Sequence, residues 1–157
     1  MKRRRIGMSG TTKADFEILG HGSMVRRPTT AQPFDVNTAL RDGMAHLRAG
    51  RPGKAKVLCR KVLNTHPDHP DALHLLGLVA LHTGHPAPAA ELIARAVTFD
   101  DRNAEFHANL GVAQVASGRH DDGLASFRRA IALQPGHAEA HYNVGLALLE
   151  KEDFAAA

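Results

Sequence analysis

Histidine is the residue type in this chain that most invites a chemical role, since 11 of its 157 residues are histidines. The segment HPDHPDALH, residues 66–74, holds three of them together with two aspartates. These are metal-ligating types, but the segment crosses a proline-punctuated loop and has no recognised ligand spacing. We therefore predict no metal site here, and we assign no cofactor to the chain.

A phosphate-binding loop and a reactive cysteine are the other chemical candidates. The segment GRPGKAKV, residues 50–57, lacks the glycine spacing of a P-loop and has no Ser or Thr after Lys54. Cys59, the single cysteine, falls at a bulky core position of a predicted helix, so we expect an inert, buried thiol. No catalytic constellation remains, and we predict that this chain is not itself an enzyme.

The excess positive charge lies in the first 35 residues, which carry seven basic and three acidic groups. Residues 36–157 carry 13 of each, so we predict no nucleic-acid partner for the body of the chain. The run Arg3–Arg5 could contact phosphates or acidic lipid headgroups, but a solvated tail is the favoured interpretation. No apolar run approaches the roughly 18 residues of a membrane span, and no secretory signal is recognisable. We expect a cytoplasmic protein with no membrane partner.

Residues 1–35 and 36–157 differ in pattern. The first segment contains Gly, Ser, Thr and Pro without a sustained period, which predicts a flexible, disordered leader. Met8 or Met24 could be the true start instead of Met1, which would remove some or most of the leader's basic residues. From Val36 onward the residues follow a regular pattern, and the elements that position any site must lie there.

The pattern repeats every 34 residues, as LHLLGLVA (73–80), HANLGVAQ (107–114) and HYNVGLAL (141–148). It divides the chain into units 36–69, 70–103, 104–137 and a shortened 138–157. Each unit contains two helical periodicities separated by a break, which is Gly118 in the third unit. We expect paired helices to cross closely at three glycines that remove a side chain there, namely Gly77, Gly111 and Gly145.

The order of Leu110-Gly111, Gly123, Phe127 and Pro135 in the third unit resembles the tetratricopeptide repeat, and the similarity extends over about 36–157. It is weakest in the first unit, where Asp42 replaces an apolar residue. The resemblance implies an all-α fold, a right-handed α-solenoid of antiparallel helix pairs whose first helices line a concave groove. It also implies that the aromatic position of two repeats is held by packed histidines, His107 and His141.

The repeats resemble a bacterial type that is similar to the repeats of O-linked N-acetylglucosamine transferases. This resemblance implies that the groove binds a partner peptide or helix. Asn109 and Asn143 correspond to the asparagine ladder of those repeats, where a side-chain amide can grip a peptide backbone. A tolerated polar residue on a solvated helix face is the alternative. The carboxylate clamp of chaperone-binding members is not expected, because the groove lacks Lys and carries Leu40, Met44 and Leu78. Residues expected to contact a partner beside the asparagines are His74, Leu78, Glu105, Val112 and Tyr142, with Glu139 nearby.

The last segment, DFAAA (153–157), is expected to begin the second helix of the fourth unit. The first helix of that unit would then expose Val144 and Leu148 without a capping partner. We expect a longer protein, a truncated reading frame, or self-association through this uncapped helix. The predicted function is a protein–protein interaction scaffold. The alternative is the N-terminal substrate-recruiting arm of a longer enzyme, such as a glycosyltransferase, sulfotransferase or methyltransferase.

Overall fold

The computed structural model describes residues 16–18, 24–26 and 34–156, with side chains over 34–149. The chain divides into two compact units, Met1–Phe34 and Asp35–Ala157. In the first unit, strands β1 (Phe16–Ile18) and β2 (Met24–Arg26) pair in antiparallel fashion. These strands were not predicted from the sequence, because three residues are too few to display a two-residue alternation.

Seven helices form the second unit within residues 34–156. They are α1 (Val36–Arg48), α2 (Pro52–Thr65), α3 (Pro70–His82), α4 (Pro86–Phe99), α5 (Ala104–Ala116), α6 (His120–Leu133) and α7 (Ala138–Ala156). Each helix packs against the next, and α1 also contacts α3, α3 contacts α5, and α5 contacts α7. This regular advance confirms the predicted right-handed, all-α solenoid of antiparallel helix pairs.

Local chemistry explains where the helices begin. Pro52, Pro70 and Pro86 stand in first turns, where a missing N–H removes no intrahelical hydrogen bond. The carboxylate of Asp35 accepts hydrogen bonds from two N–H groups in the first turn of α1. These residues favour the start of a helix at their positions through local interactions.

Glycine ends the first helix of each of the first three pairs. Gly50, Gly84 and Gly118 have φ values of +68°, +77° and +83°, a left-handed conformation that disfavours residues with a Cβ. The next position in this 34-residue series is Glu152, and α7 continues through it to Ala156. The prediction that DFAAA begins a separate helix was therefore wrong, because the residue that would have allowed a sharp turn is absent.

The expected close crossings were confirmed at two of the three glycines. A Cβ built on Gly77 would lie 2.5 Å from Ile93 Cγ1, and one built on Gly111 would lie 2.5 Å from Phe127 Cε1. In both cases the bulky side chain comes from the second helix of the same pair, 16 residues later. A Cβ built on Gly145 meets no atom within 4 Å, and the sequence has no residue 16 positions after it.

The core is a series of small clusters, each shared by successive helix pairs. One cluster joins Ala39, Val62 and Ala72 from α1, α2 and α3, and another joins Leu124 to Ala147 from α6 and α7. Because these clusters need residues from two neighbouring pairs, a single pair cannot bury its apolar side chains alone. Among the described helices, none has the length and apolarity needed to cross a bilayer.

Candidate functional site

Three of the predicted partner-binding residues meet where α3 packs against α5. The Nδ2 atom of Asn109 lies 3.0 Å from Nε2 of His74 and 3.4 Å from Oε1 of Glu105. Because an amide nitrogen only donates, His74 accepts through Nε2 and carries its proton on Nδ1. Positions 74 and 109 are 35 residues apart, so the stacking of two helix pairs brings them together.

His74 supports this junction from below the surface. Its side chain is only 6% exposed, and its ring centroid lies 4.5 Å from that of Phe106. Burial lowers the pKa of His74, and the nearby carboxylates of Glu105 and Asp71 oppose that effect only in part. The neutral ring is thus a fixed acceptor for Asn109. The expectation that His74 offers surface to a partner needs correction, because almost none of the ring reaches solvent.

The two asparagines of the predicted ladder are not equivalent. Both contacts of the Asn109 amide nitrogen are internal, which leaves its Oδ1 oxygen to accept from a partner. Asn143 is half-buried and makes no side-chain hydrogen bond among the described residues. The residue 34 positions after His74 is Ala108, which offers no acceptor to Asn143. Asn143 therefore retains both donor and acceptor capacity for a ligand.

Asn143 lies at a cavity of about 520 Å³ formed by α5, α6 and α7. Val112, Leu146 and Ala147 supply apolar wall, so the amide is one of two polar side chains, with that of His120, in a largely hydrocarbon lining. Such a combination suits an apolar side chain whose neighbouring backbone can pair with the amide. Val112 and Asn143 were both singled out from the sequence, whereas Leu146 was not.

The remaining predicted contacts differ in exposure. Leu78 is half-buried, whereas Glu105 and Glu139 are exposed. Tyr142 is 66% exposed, which places its ring at the surface of α7. Sequence reasoning missed Phe106, because a residue that packs under His74 has no surface pattern of its own.

A reactive Cys59 thiol and a metal site were two of the chemical candidates rejected from the sequence. Cys59 is fully buried, and desolvation raises its pKa to about 11, so the thiol stays protonated at neutral pH. Within the part of the chain that the structure describes, no three His, Cys, Asp or Glu side chains converge to hold a metal ion.

Two further histidines tie helix starts to the preceding loops. Nε2 of His107 donates to the carbonyl of Asp101, and Nε2 of His141 donates to that of Pro135, each at 2.9 Å and six residues upstream. His107 is buried, which confirms its expected packing. His141 is exposed, so the same expectation was wrong there.

Comparison with known families identifies the helix pairs. Family models described as tetratricopeptide repeats match residues 46–111 and 108–157. The chain belongs to the tetratricopeptide repeat family. The two matches together span 46–157, so they cover the part of the second unit that holds His74, Asn109 and Asn143.

The tetratricopeptide array is similar to several solved structures. It is 36% identical to a mutant of the Thermobaculum terrenum O-GlcNAc transferase over 77% of this chain, with a TM-score of 0.71, and it spans 23% of that protein. The Sgt2 tetratricopeptide domain from Aspergillus fumigatus gives a TM-score of 0.72 at 16% identity, covering 78% of this chain and 82% of that one. The first such domain of Spaghetti (RPAP3), bound to the HSP90 peptide SRMEEVD, gives 0.70 at 15% identity, covering 74% and 93%. The last two similarities concern the fold alone.

Proposed function

We propose that this chain is a protein–protein interaction module that binds an extended segment of a partner along α3, α5 and α7, without catalysis of its own. The observation that carries the proposal is the cavity of about 520 Å³, where the free amide of Asn143 lies among mostly apolar side chains. The repeats of the family commonly serve as interaction surfaces. We propose that the chain is cytoplasmic, because its single cysteine leaves no internal disulfide.

In this arrangement the apolar wall and the two asparagines take different parts of the ligand. An aliphatic or aromatic side chain enters beside Val112 and Leu146, and the adjacent peptide group pairs with Asn143. One register further, Oδ1 of Asn109 accepts from a peptide N–H, because its amide nitrogen is already held by His74. Affinity for backbone and selectivity for an apolar side chain follow from this division.

An acidic chaperone tail of the kind bound by RPAP3 is not the ligand that we propose for this groove. That domain is bound to the HSP90 peptide SRMEEVD. Here the positions where cations would be needed carry Leu40, Met44 and Leu78, all half-buried and apolar. Placing carboxylates against these side chains would desolvate charge without a partner.

The experiment is selection from a phage-displayed library of random peptides on the purified chain, followed by fluorescence anisotropy with the recovered peptides. Asn143→Ala is expected to weaken binding about two- to tenfold, since one net hydrogen bond contributes about 0.5–1.5 kcal/mol. Arg128→Ala is the matched control, because Arg128 is exposed on α6 and does not line the cavity. Failure to recover peptides, or equal binding by wild type and Asn143→Ala, would refute the proposal that the groove binds a peptide through Asn143.

A second copy of the chain is a second candidate partner, through the exposed face of α7. Tyr142, Leu146 and Leu149 are 66%, 41% and 60% exposed and follow one another at helical spacings of four and three. Gly145 lies between them with open space above it. Sedimentation equilibrium is expected to show dimers that dissociate in Tyr142→Ser/Leu149→Ser; monomeric wild type at high concentration would contradict this proposal.

The other function class is that of a recruiting arm within a longer enzyme, as a glycosyltransferase, sulfotransferase or methyltransferase. The 36% identity to part of an O-GlcNAc transferase supports it, and this chain spans only 23% of that protein. Reading the genomic sequence downstream of Ala157 tests it directly. A stop codon directly after Ala157, confirmed in the mature transcript, would refute this proposal and leave the stand-alone interaction module.

A further inference from the structure

Basic and acidic residues are unevenly distributed along the helical array, although their total numbers over residues 36–157 are equal. Residues 36–69 carry seven basic and two acidic groups, whereas residues 70–157 carry six basic and eleven acidic groups. Between positions 43 and 67 there are six basic residues and no acidic one. Most of this basic segment is helix α2, a second helix that does not line the groove.

A cavity of about 480 Å³ lies beside this basic helix, bounded by α2, α3 and α4. Gly53, Lys56 and Arg60 line it from α2, at helical spacings of three and four. The facing α3 and α4 contribute apolar side chains, chiefly Leu76, Val79 and Leu92. The cavity thus has a hydrocarbon floor, two cations along one side, and the polar residues Thr83 and His85 at the turn between α3 and α4.

The cavity opens on the side of α3 away from the groove. Leu76 and Ala80 line it, and Ala80 lies two residues after Leu78, a half-buried position assigned to the groove. Two residues correspond to about 200° around an α-helix. A ligand in this cavity therefore leaves the proposed peptide groove free.

Comparison with the residues 34 positions later shows that the amino acids at this junction create the cavity. The residue 34 positions after Lys56 is Ala90, which is fully buried in a core cluster with Leu110. The counterparts of Ala80 and Leu92 are Gln114 and Ser126, whose side chains bond to each other at 2.7 Å. The next junction thus places a buried alanine and a polar bridge where this one has an exposed cation and open apolar surface.

Stability does not explain the residues Gly53, Lys56 and Arg60 that α2 contributes to this cavity. Lys56 and Arg60 are exposed, form no ion pair with any described residue, and stand at i and i+4, where like charges repel. Gly53 weakens the start of α2, yet a Cβ built on it would meet nothing within 4 Å. Free cations and an unneeded glycine at the edge of one apolar cavity are features that a ligand would use.

We propose that this cavity binds an acidic segment of a partner protein, with a bulky apolar side chain on its floor and flanking carboxylates paired with Lys56 and Arg60. The apolar floor distinguishes this ligand from nucleic acid, because no Phe, Tyr or Trp lines the cavity to stack on a base. A long polyanion would also run onto the acidic repeats that follow. A short segment with both carboxylates and an anchor matches the charge and the shape.

The test is fluorescence anisotropy with a synthetic probe peptide in which a Phe-Leu pair is flanked on each side by three glutamates. Wild type is expected to bind it, with weaker binding at higher salt. Lys56→Ala/Arg60→Ala is expected to weaken binding about tenfold, and Gly53→Leu is expected to do so by filling the cavity edge without a core clash. Arg128→Ala/Arg129→Ala is the matched control, since these exposed arginines stand 68 residues after Arg60 and Lys61.

The outcomes separate this site from the groove and from other ligands. Binding by Asn143→Ala is expected to equal that of wild type, so failure of the groove proposal leaves this one standing. The proposal is overturned by absent binding in wild type, by equal loss in the Arg128/Arg129 control, or by unchanged affinity in Gly53→Leu. Equal or tighter binding of a peptide with Ser-Ser in place of Phe-Leu, or of single-stranded DNA, would also overturn it.

Discussion

Replacing Gly111 by Ala tests one of the close helix crossings in the array. In an exposed helix this substitution gains about 1 kcal/mol. Here the new methyl carbon would lie 2.5, 2.6 and 2.9 Å from three ring atoms of Phe127. That ring is 1% exposed and is packed in a core cluster with Leu124 and Ala147. Overpacking costs about 1–3 kcal/mol, and three sub-contact distances favour the upper end, so we expect a net destabilisation of about 2 kcal/mol.

Gly145→Ala is the matched control, because Gly145 holds the same repeat position one unit later. A Cβ there meets no atom within 4 Å, so the helix-propensity gain of about 1 kcal/mol is expected without a steric cost. The same substitution at equivalent positions is therefore expected to have opposite signs. The two variants should differ in free energy of unfolding by about 3 kcal/mol.

Thermal unfolding followed by circular dichroism at 222 nm measures both variants. At roughly 4 °C per kcal/mol for a domain of this size, the Tm should fall by about 8 °C for Gly111→Ala and rise by about 4 °C for Gly145→Ala. A Tm for Gly111→Ala at or above that of wild type would refute the steric reasoning. Equal decreases in both variants would show that glycine is needed for the helix itself and not for the crossing.

Two further perturbations test the buried titratable groups. Burial lowers the pKa of His74, so on acidification the unfolded state takes up the proton before the folded state does. The contribution of His74 to stability is therefore fully present above the histidine pKa of the unfolded chain, about 6.5, and decreases as the pH falls below that pKa. Urea unfolding at pH 7.5 and 5.5 should show a smaller loss for His74→Gln than for wild type; equal losses would refute this assignment. The Cys59 thiol, with its pKa near 11 and no exposure, should react with Ellman's reagent at pH 8 only after denaturant is added, and rapid labelling of the native chain would contradict its burial.

Much of the fold was predictable because local residues specify each helix pair. Prolines in first turns and glycines at 50, 84 and 118 mark the boundaries, and the 3.6-residue period marks the buried faces. At position 152 the repeat has Glu in place of this glycine, and the helix continues. The lack of a glycine there was visible in the sequence, and the error at DFAAA came from assuming that a repeat imposes its turn where the turn residue is missing.

The candidate sites were predictable only in part. The sequence places Asn109, Val112 and Asn143 on the first helices, because repeat position determines helix face. It could not reveal that His74 occupies the Asn109 amide, since that contact depends on the offset between helices 35 residues apart. Likewise, the run of basic residues in α2 is readable from the sequence alone. Only the packing of three helices decided that Lys56 borders an open apolar cavity while its counterpart Ala90 is buried. The reason is that side-chain burial depends on the spacing between neighbouring helix pairs.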